Sequence, residues 1–312
     1  MRTLIVHNAR SGFGSDSIFE FERALLQEGD ECVTRVLGTE FDLNGALRDA
    51  EDFDLVVLSG GDGTVTSILY ELRRRDVTCC VFPSGTANLF FNNLGLASEP
   101  NAIARACRQG GVIGCDLGEI SWSEQGVSHT RGFGIMAGTG YDASLMRTAM
   151  PDKKSLGEAA YFAAALKNTR PEVSHFSITV DGVRHERDGI ACLVANTATM
   201  QGEIEIVSDC SMSDGLIDVI VLATSDAVQL IVPFLSGILD RRGRAGRPFI
   251  EHFTGREVKV ESSSPIPMQI DGDVVADAVT GYVARVLPRA NDVVVDQTSP
   301  YYPSSRKLAP RD

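Results

Sequence analysis

The residues with the most chemical content are Ser59-Gly60-Gly61-Asp62-Gly63-Thr64, set between an apolar run over 54–59 and a helical pattern over 64–74. Three glycines in four positions let backbone N–H groups approach a phosphate closely. A helix starting near Thr64 points the positive end of its dipole at the same place. The logic is that of a Walker-type loop, although no GxxxxGK[ST] pattern occurs in the chain. Taken alone, Gly-Gly-Asp-Gly also fits a tight turn. Asp62 is out of place beside phosphates unless a cation lies between them or its carboxylate orients the loop.

A second loop, Pro83-Ser84-Gly85-Thr86-Ala87-Asn88, follows the next apolar run in the same phase, and Asn8–Gly14 follows the first run, Leu4–His7. Loops in this phase open at the carboxyl edge of a sheet, where open α/β sheets bind their ligands. The elements that must position them alternate. Strand-like runs lie at 4–7, 31–37, 54–59 and 77–82, and helical patterns at 15–28, 64–74 and 101–109. The helical stripe of the first is Ile18, Phe19, Phe21, Leu25 and Leu26. Strands apolar on both faces and interleaved with helices predict a mostly parallel α/β sheet covered on both sides.

Beyond about Cys115 the texture changes to short β-like runs separated by turn dipeptides, at 177–180, 189–195, 216–222, 257–260 and 281–287. Helical stretches at 141–149, 155–168 and 226–239 interrupt them. The expected organisation is an α/β nucleotide-binding domain over 1–115 and a β-rich, antiparallel, sandwich-like domain over 116–290. A tail over 291–312 either returns to the first domain or frays, because its end is polar and rich in Pro and Ser.

Composition narrows the function. Of 312 residues, 42 are acidic and 29 are Lys or Arg, a net charge of −13. Such a chain lacks the broad basic face that holds nucleic acid, and contact with an anionic membrane would have to be local. The seven cysteines show no CxxC spacing and sit mostly in apolar runs, as buried reduced thiols of a cytoplasmic protein would. The five histidines form no zinc motif. The most apolar later segment, residues 227–239, contains Pro233 and is shorter than the ~20 residues a membrane span needs. Four arginines within residues 241–247 follow it, as a local membrane-docking loop or a solvated one.

With these motifs in hand, the chain resembles the diacylglycerol kinase catalytic-domain family, which includes bacterial lipid kinases and sphingosine kinases. GGDGT after an apolar strand and a PxGTxN loop carry the first part of the likeness. Asp116-Leu117-Gly118, the Gly132–Gly138 strand, the Ser155–Leu166 helix, Ser213–Val219 and Ile270-Asp271-Gly272-Asp273 continue it, so that it covers about residues 1–290. The resemblance implies an α/β domain like that of NAD kinases and phosphofructokinases, followed by a β-rich domain. It also implies transfer of the γ-phosphoryl of ATP to a lipid hydroxyl, an ATP:lipid phosphotransfer within phospholipid biosynthesis.

Carried over residue by residue, Gly60, Gly61, Asp62, Gly63, Thr64, Val65 and Thr66 would wrap the ATP phosphates. Gly85, Thr86, Asn88 and Asn8 would line the same pocket, with Thr39 a weaker candidate. Asp273 takes the position of the general base, with a turn residue as the alternative reading, and Asp62 acts with it in catalysis. Asp214, with Ser211 and Leu216, matches a Mg²⁺ site, or Asp214 caps a turn. Asp116 is expected toward the substrate. Three positions depart from the family pattern. Asp273 is one methylene shorter than the usual Glu, Leu89 replaces the Asp that often follows Asn88, and Ala9 replaces the Pro of the first loop. Phe133, Met136, Tyr141, Tyr161 and Phe162 are apolar residues that line either a lipid path or the core. The implied partners are ATP and a lipid alcohol, with transient contact at the inner membrane face and a homodimer favoured. Two alternatives stay open: an NAD kinase-like small-molecule kinase, for which Asn92-Asn93-Leu94 does not supply the Asn-Glu pair, and a catalytically silent nucleotide- or lipid-binding protein.

Overall fold

The computed structural model describes residues 1–11, 16–38, 42–140, 172–197, 199–200, 204–205, 207, 210–225 and 249–307. The chain forms two compact units, residues 1–116 with 288–312, and residues 117–287.

In the first unit, β1 (Arg2–His7), β2 (Glu31–Val36), β3 (Leu55–Gly60) and β4 (Thr78–Pro83) are all parallel, in the order β2-β1-β3-β4. Every residue of β3 is buried, as the unbroken run LVVLSG requires of a strand covered on both faces. The helices are α1 (Ser17–Gln27), α2 (Leu43–Leu47), α3 (Asp62–Leu72), α4 (Leu89–Leu94) and α5 (Pro100–Gln109). Of the apolar stripe expected on α1, Ile18, Phe21 and Leu25 are buried while Phe19 and Leu26 face out, because one face of a helix takes only positions three to four apart. The Phe21 ring packs on Phe82 of β4 at 5.2 Å between centroids. Pro100 opens α5, where its missing N–H costs nothing. Arg108 near the end of α5 forks onto the buried Asp30 carboxylate at 2.7 and 2.8 Å, fastening α5 to the turn between α1 and β2.

The second unit is antiparallel. Its strands begin with the latter part of β5 (Gly111–Glu124), β6 (Val127–Phe133), β7 (Met136–Gly140), β8 (Ser174–Val180), β9 (Val183–Gly189) and β10 (Ala191–Ala195). A two-residue ladder, β11 (Thr199–Met200) with β12 (Ile204–Glu205), comes next. Then follow β13 (Ile217–Leu222), β14 (Ile250–Gly255), β15 (Glu257–Ile270) and the first part, to Leu287, of β16 (Asp273–Val295). The order β14-β13-β10-β7-β15 forms one run, and β8 pairs both β15 and β9. Phe133, Phe176, Ile178, Val219, Met268 and Tyr282 are among the residues of its core. The expected runs 257–260 and 281–287 are pieces of the far longer β15 and β16. Bulges between Glu261 and Gln269 let these strands bend without breaking.

The residues after Pro288 return to the first unit, where Asp292 and Val293 pair with Thr78 and Cys79 of β4. The fraying expected of the tail does not hold as far as Lys307. Ser299 Oγ donates to Leu94 O at 2.6 Å, and Thr298 Oγ1 donates to Gly95 O at 2.9 Å, so both hydroxyls satisfy carbonyls at the end of α4. A short strand, β17 (Arg306–Lys307), pairs with Gly111 and Val112 of β5. The helices expected at 141–149, 155–168 and 226–239, with Tyr141, Tyr161, Phe162 and the arginine-rich 241–247, lie outside the described residues. Among the described residues no helix is long and apolar enough to cross a membrane. Five of the seven free cysteines are buried, and Cys32 and Cys210 are half-buried.

Candidate active site

The order β2-β1-β3 means that the chain leaves β1 toward one side for β2 and comes back to lay β3 on the other. The loops after β1 and β3 therefore diverge, and the space between their carboxyl ends is the switch point at which sheets of this kind receive a ligand. Asn8 follows β1 and Gly60 ends β3 at that point, with Gly61 next. The Asn8 N–H donates to Ser59 O at 2.8 Å, and its side chain donates to Thr64 Oγ1 at 2.8 Å. Ser11 Oγ accepts from the Gly61 N–H at 3.2 Å.

Helix α3 starts at Asp62 behind the N-cap Gly61, which has no side chain to cap it. The N–H groups of Asp62 and Gly63 thus have no intrahelical acceptor and sit at the positive end of the dipole. The side chains of Val65 and Thr66 are turned into the core, 2% and 4% exposed. They were expected around the phosphates, but at these positions the helix presents its buried face, and only the first turn is open.

The second loop lies directly against the first. A Cβ on Gly85 would fall 2.4 Å from Gly61 Cα, so the approach requires glycine. Gly60 is held in the same way, since a Cβ there would lie 2.7 Å from the Thr64 side chain. Asn88, at φ +50°, closes a ring on Gly85: its Oδ1 accepts from the Gly85 N–H at 2.7 Å and its Nδ2 donates to Gly85 O at 3.0 Å. Thr86 at the tip is exposed. The Asp62 carboxylate accepts from the Phe90 N–H at 2.9 Å, capping the first turn of α4 from a different helix. That contact gives Asp62 the loop-orienting role. Its second oxygen has no partner among the described residues, and Leu89, the half-buried first residue of α4, brings no charge there.

Asp116 is fully buried, and its Oδ1 accepts from the Arg289 N–H at 2.6 Å, tying the end of β5 in the first unit to the returning chain. The carboxylate expected toward the substrate is thus turned away from solvent. Thr39 lies outside the described residues. Phe133 and Met136 are core residues, 0% and 5% exposed.

In the second unit, Asp273 is exposed and follows the two-residue turn Asp271-Gly272, which joins β15 to β16 with Ile270 opposite Asp273. Both turn residues have positive φ, +47° and +86°, as a type I′ hairpin turn requires. Asp271 holds this turn in place. Its carboxylate accepts from the N–H groups of Gly134, Ile135 and Met136 at 2.8, 2.9 and 3.0 Å, and its own N–H donates to Met136 O at 2.8 Å. Asn196, fully buried, holds the same segment through Gly134 O at 3.0 Å. Sequence reasoning missed both residues, although the Asp-Gly dipeptide before Asp273 is itself a hairpin signal. Asp271→Ala should destabilise the second unit by about 3 kcal/mol, because three N–H donors lose a charged acceptor. Asp271→Asn should cost less, and denaturant unfolding midpoints compare the two.

Asp214 is exposed, and its Oδ1 accepts from the Leu216 N–H at 2.9 Å in the turn before β13. Although the residue is exposed, partial desolvation of its carboxylate by neighbouring protein atoms, with the nearby Asp218 carboxylate, raises its pKa. Ser211 lies in the same turn, its Oγ accepting from the Ser213 N–H at 3.3 Å. Among the described residues no three His, Cys, Asp or Glu side chains are grouped to hold a metal. An exposed carboxylate such as that of Asp214 is compatible with Mg²⁺, which keeps several waters and takes only one or two carboxylates.

Glycine loops at the switch point of a parallel unit, in one chain with an antiparallel β unit, define the architecture of kinases related to diacylglycerol kinase and NAD kinase. The diacylglycerol kinase catalytic domain model matches residues 2–120, and the YegS C-terminal NAD kinase beta sandwich-like domain model matches residues 135–295. The chain belongs to the diacylglycerol kinase family of lipid kinases with a YegS-type C-terminal domain. It is 26% identical over 285 residues to a diacylglycerol kinase of Bacillus subtilis, covering 87% of this chain and 89% of that one. An uncharacterized protein of Synechocystis is 25% identical over 251 residues, 78% of this chain, and the chain spans only 55% of that relative's length. In fold it is similar to the crystal structure of a diacylglycerol kinase from Bacillus anthracis, with a TM-score of 0.73 at 19% identity over 95% of this chain and 97% of that one. It is also similar to a yeast NADH kinase, with a TM-score of 0.51 at 12% identity over 96% of this chain and 84% of that one.

Proposed function

We propose that the chain transfers the γ-phosphoryl group of ATP to the hydroxyl of a lipid alcohol. The observation that carries this reading is the uncapped first turn of α3 at the β1/β3 switch point, with the Gly85 loop packed against it. An acceptor-rich polyphosphate satisfies the N–H groups of Asp62 and Gly63 and the positive end of the dipole together. Asn8, Gly60, Gly61, Gly63 and Thr64 line this site in the reading. Gly85, Thr86 and Asn88 belong to the loop packed beside it. The membership of the family and the names of its relatives support a lipid as the acceptor.

Phosphoryl transfer passes through a loose transition state, so positioning and charge neutralisation carry most of the rate. The two glycine loops orient the phosphates. The carboxylate oxygen of Asp62 that has no partner among the described residues would hold Mg²⁺ at the loops, where the ion would offset phosphate charge, and Asp214 with backbone oxygens of Ser211 and Leu216 would hold a structural Mg²⁺ in the second unit. Asp273, exposed on a pinned turn, orients the acceptor hydroxyl and takes its proton. Asp116 acts in this reading through the backbone that it ties down.

The test is phosphate transfer from γ-labelled ATP to a panel of lipids in mixed micelles, with NAD as the non-lipid acceptor. Labelling of a lipid supports the proposal, and labelling of NAD alone overturns it. Asp62→Asn keeps an oxygen for the Phe90 N–H but removes the charge. We expect it to lose about 10²-fold or more in turnover while unfolding at nearly the wild-type midpoint, in line with the loss of one transition-state electrostatic partner. Wild-type turnover in Asp62→Asn would reduce Asp62 to a helix cap.

A further inference from the structure

We propose that His7, Ser59 and Ser84 form a hydrogen-bonded relay whose proton order is reversed by a bound phosphate, turning the Ser84 hydroxyl into a phosphate donor. The inference rests on the nucleotide reading above. His7 is the last residue of β1, Ser59 lies one position before the end of β3, and Ser84 directly follows β4. Each stands immediately before a residue of the phosphate reading: Asn8, Gly60 and Gly85. His7 Nδ1 lies 2.9 Å from Ser59 Oγ, and Ser59 Oγ lies 2.7 Å from Ser84 Oγ, so one chain of hydrogen bonds crosses three adjacent strand ends. Backbone bonds hold the same ends: Asn8 N–H to Ser59 O at 2.8 Å, and Ser84 N–H to Gly60 O at 3.3 Å.

Ser59 is fully buried and makes two side-chain bonds with a hydroxyl that carries one proton. Two proton orders satisfy it. In the inward order Ser84 donates to Ser59 and Ser59 donates to an unprotonated His7 Nδ1. In the outward order His7 Nδ1–H donates to Ser59, Ser59 donates to Ser84, and the Ser84 proton needs an acceptor further on. Among the described residues nothing accepts it, and Ser84 is only half-buried, so in the free protein that proton is left to solvent, whereas the inward order gives all three groups protein partners and is the resting one in this scheme. A phosphate oxygen offers only lone pairs, and its arrival beside Gly85 selects the outward order. Burial holds the His7 imidazole below its usual pKa, so at neutral pH it is uncharged and the two orders are its two tautomers. Ser84 touches the ligand in this scheme, whereas His7 and Ser59 are positioning residues. The sequence gives no hint of the link, because its members are 52 and 25 residues apart.

The experiment is ¹⁵N NMR of histidine-labelled full-length protein without and with saturating ADP, with His7→Gln used to assign the His7 signals. Saturating ADP should move the proton from Nε2 to Nδ1. In Ser59→Ala that change should disappear and ADP affinity should fall about tenfold, as for a lost hydrogen bond to a charged group, while adenosine affinity stays at the wild-type value. Ser59→Thr, which keeps the hydroxyl, should restore both readouts. An unchanged His7 tautomer with ADP bound, or wild-type ADP affinity in both Ser59→Ala and Ser84→Ala, would overturn the relay and leave the nucleotide site standing. Failure of the wild-type protein to bind ADP would instead overturn the nucleotide reading, and the relay with it.

Discussion

Asp273→Asn is expected to lower kcat for lipid phosphorylation by about 10²–10⁴-fold, the usual contribution of a positioned general base, while ADP affinity stays unchanged. The asparagine has nearly the same shape and is exposed on the same turn, so the turn itself has no reason to move. Asp271 and its three N–H partners lie outside the substitution and continue to hold the backbone. The complementary variant is Asp273→Glu, whose extra methylene extends the carboxylate by about 1.5 Å. If the native turn brings the shorter side chain into reach, Asp273→Glu should be no faster than wild type. A large rise in kcat would mean that Asp273 is held back from its acceptor. Steady-state kinetics on both variants, with calorimetric ADP binding alongside, decides the matter. Wild-type turnover in Asp273→Asn would remove this residue from the chemistry and leave it a strand residue after a turn.

The second large effect is steric. In Gly85→Ala the new methyl would stand 2.4 Å from Gly61 Cα and 2.8 Å from Asn88 Oδ1. The first neighbour is backbone at the end of a buried strand and the second is locked in its ring with Gly85, so neither yields cheaply. Overpacking of this kind costs about 1–3 kcal/mol. The larger consequence falls on the ligand, because relief of the clash pushes apart the two loops that are to share one phosphate chain. ADP affinity should fall about tenfold or more, since at least one charge-assisted contact is lost. Gly38→Ala is the control for the added methyl itself: among the described residues nothing lies within 4 Å of it, and the unfolding midpoint should match wild type. Equal ADP binding in Gly85→Ala would show that the nucleotide does not use the Gly61–Gly85 approach.

Some of the site was legible because its physics is local. Glycines that free the backbone, a helix that begins where they end, and an apolar strand before them are contiguous in sequence, and Gly60–Gly63 could be singled out from them as a candidate phosphate loop. Asp-Gly before Asp273 is a local signal of the same sort. Asp62 was legible as an anomaly but not as a solution, since the N–H that it caps belongs to Phe90 in another helix. Asp116 followed the family pattern, yet its partner is a backbone N–H at Arg289, 173 residues away. The tail could be read only as two alternatives, return or fraying, for a related reason. Thr298 and Ser299 have the composition of a loose end, and only the exposed carbonyls at the end of α4 make them an attachment.

The sequence by itself determined the alternation of buried strands and helices, the change to antiparallel β texture near residue 116, the acidic surface and the glycine loops. Each of these follows from hydrophobic periodicity or from backbone freedom over a few consecutive residues. Tertiary structure alone decided that β3 lies beside β1 on the side away from β2. That choice, with β4 on the other side of β3, turns three separate loops into one candidate site, because it sets Asn8, Gly60 and Gly85 at adjacent strand ends and draws His7, Ser59 and Ser84 into one hydrogen-bonded line. Strand order is a matter of which apolar faces are covered by which helices over the whole unit, and no short stretch of sequence carries that information.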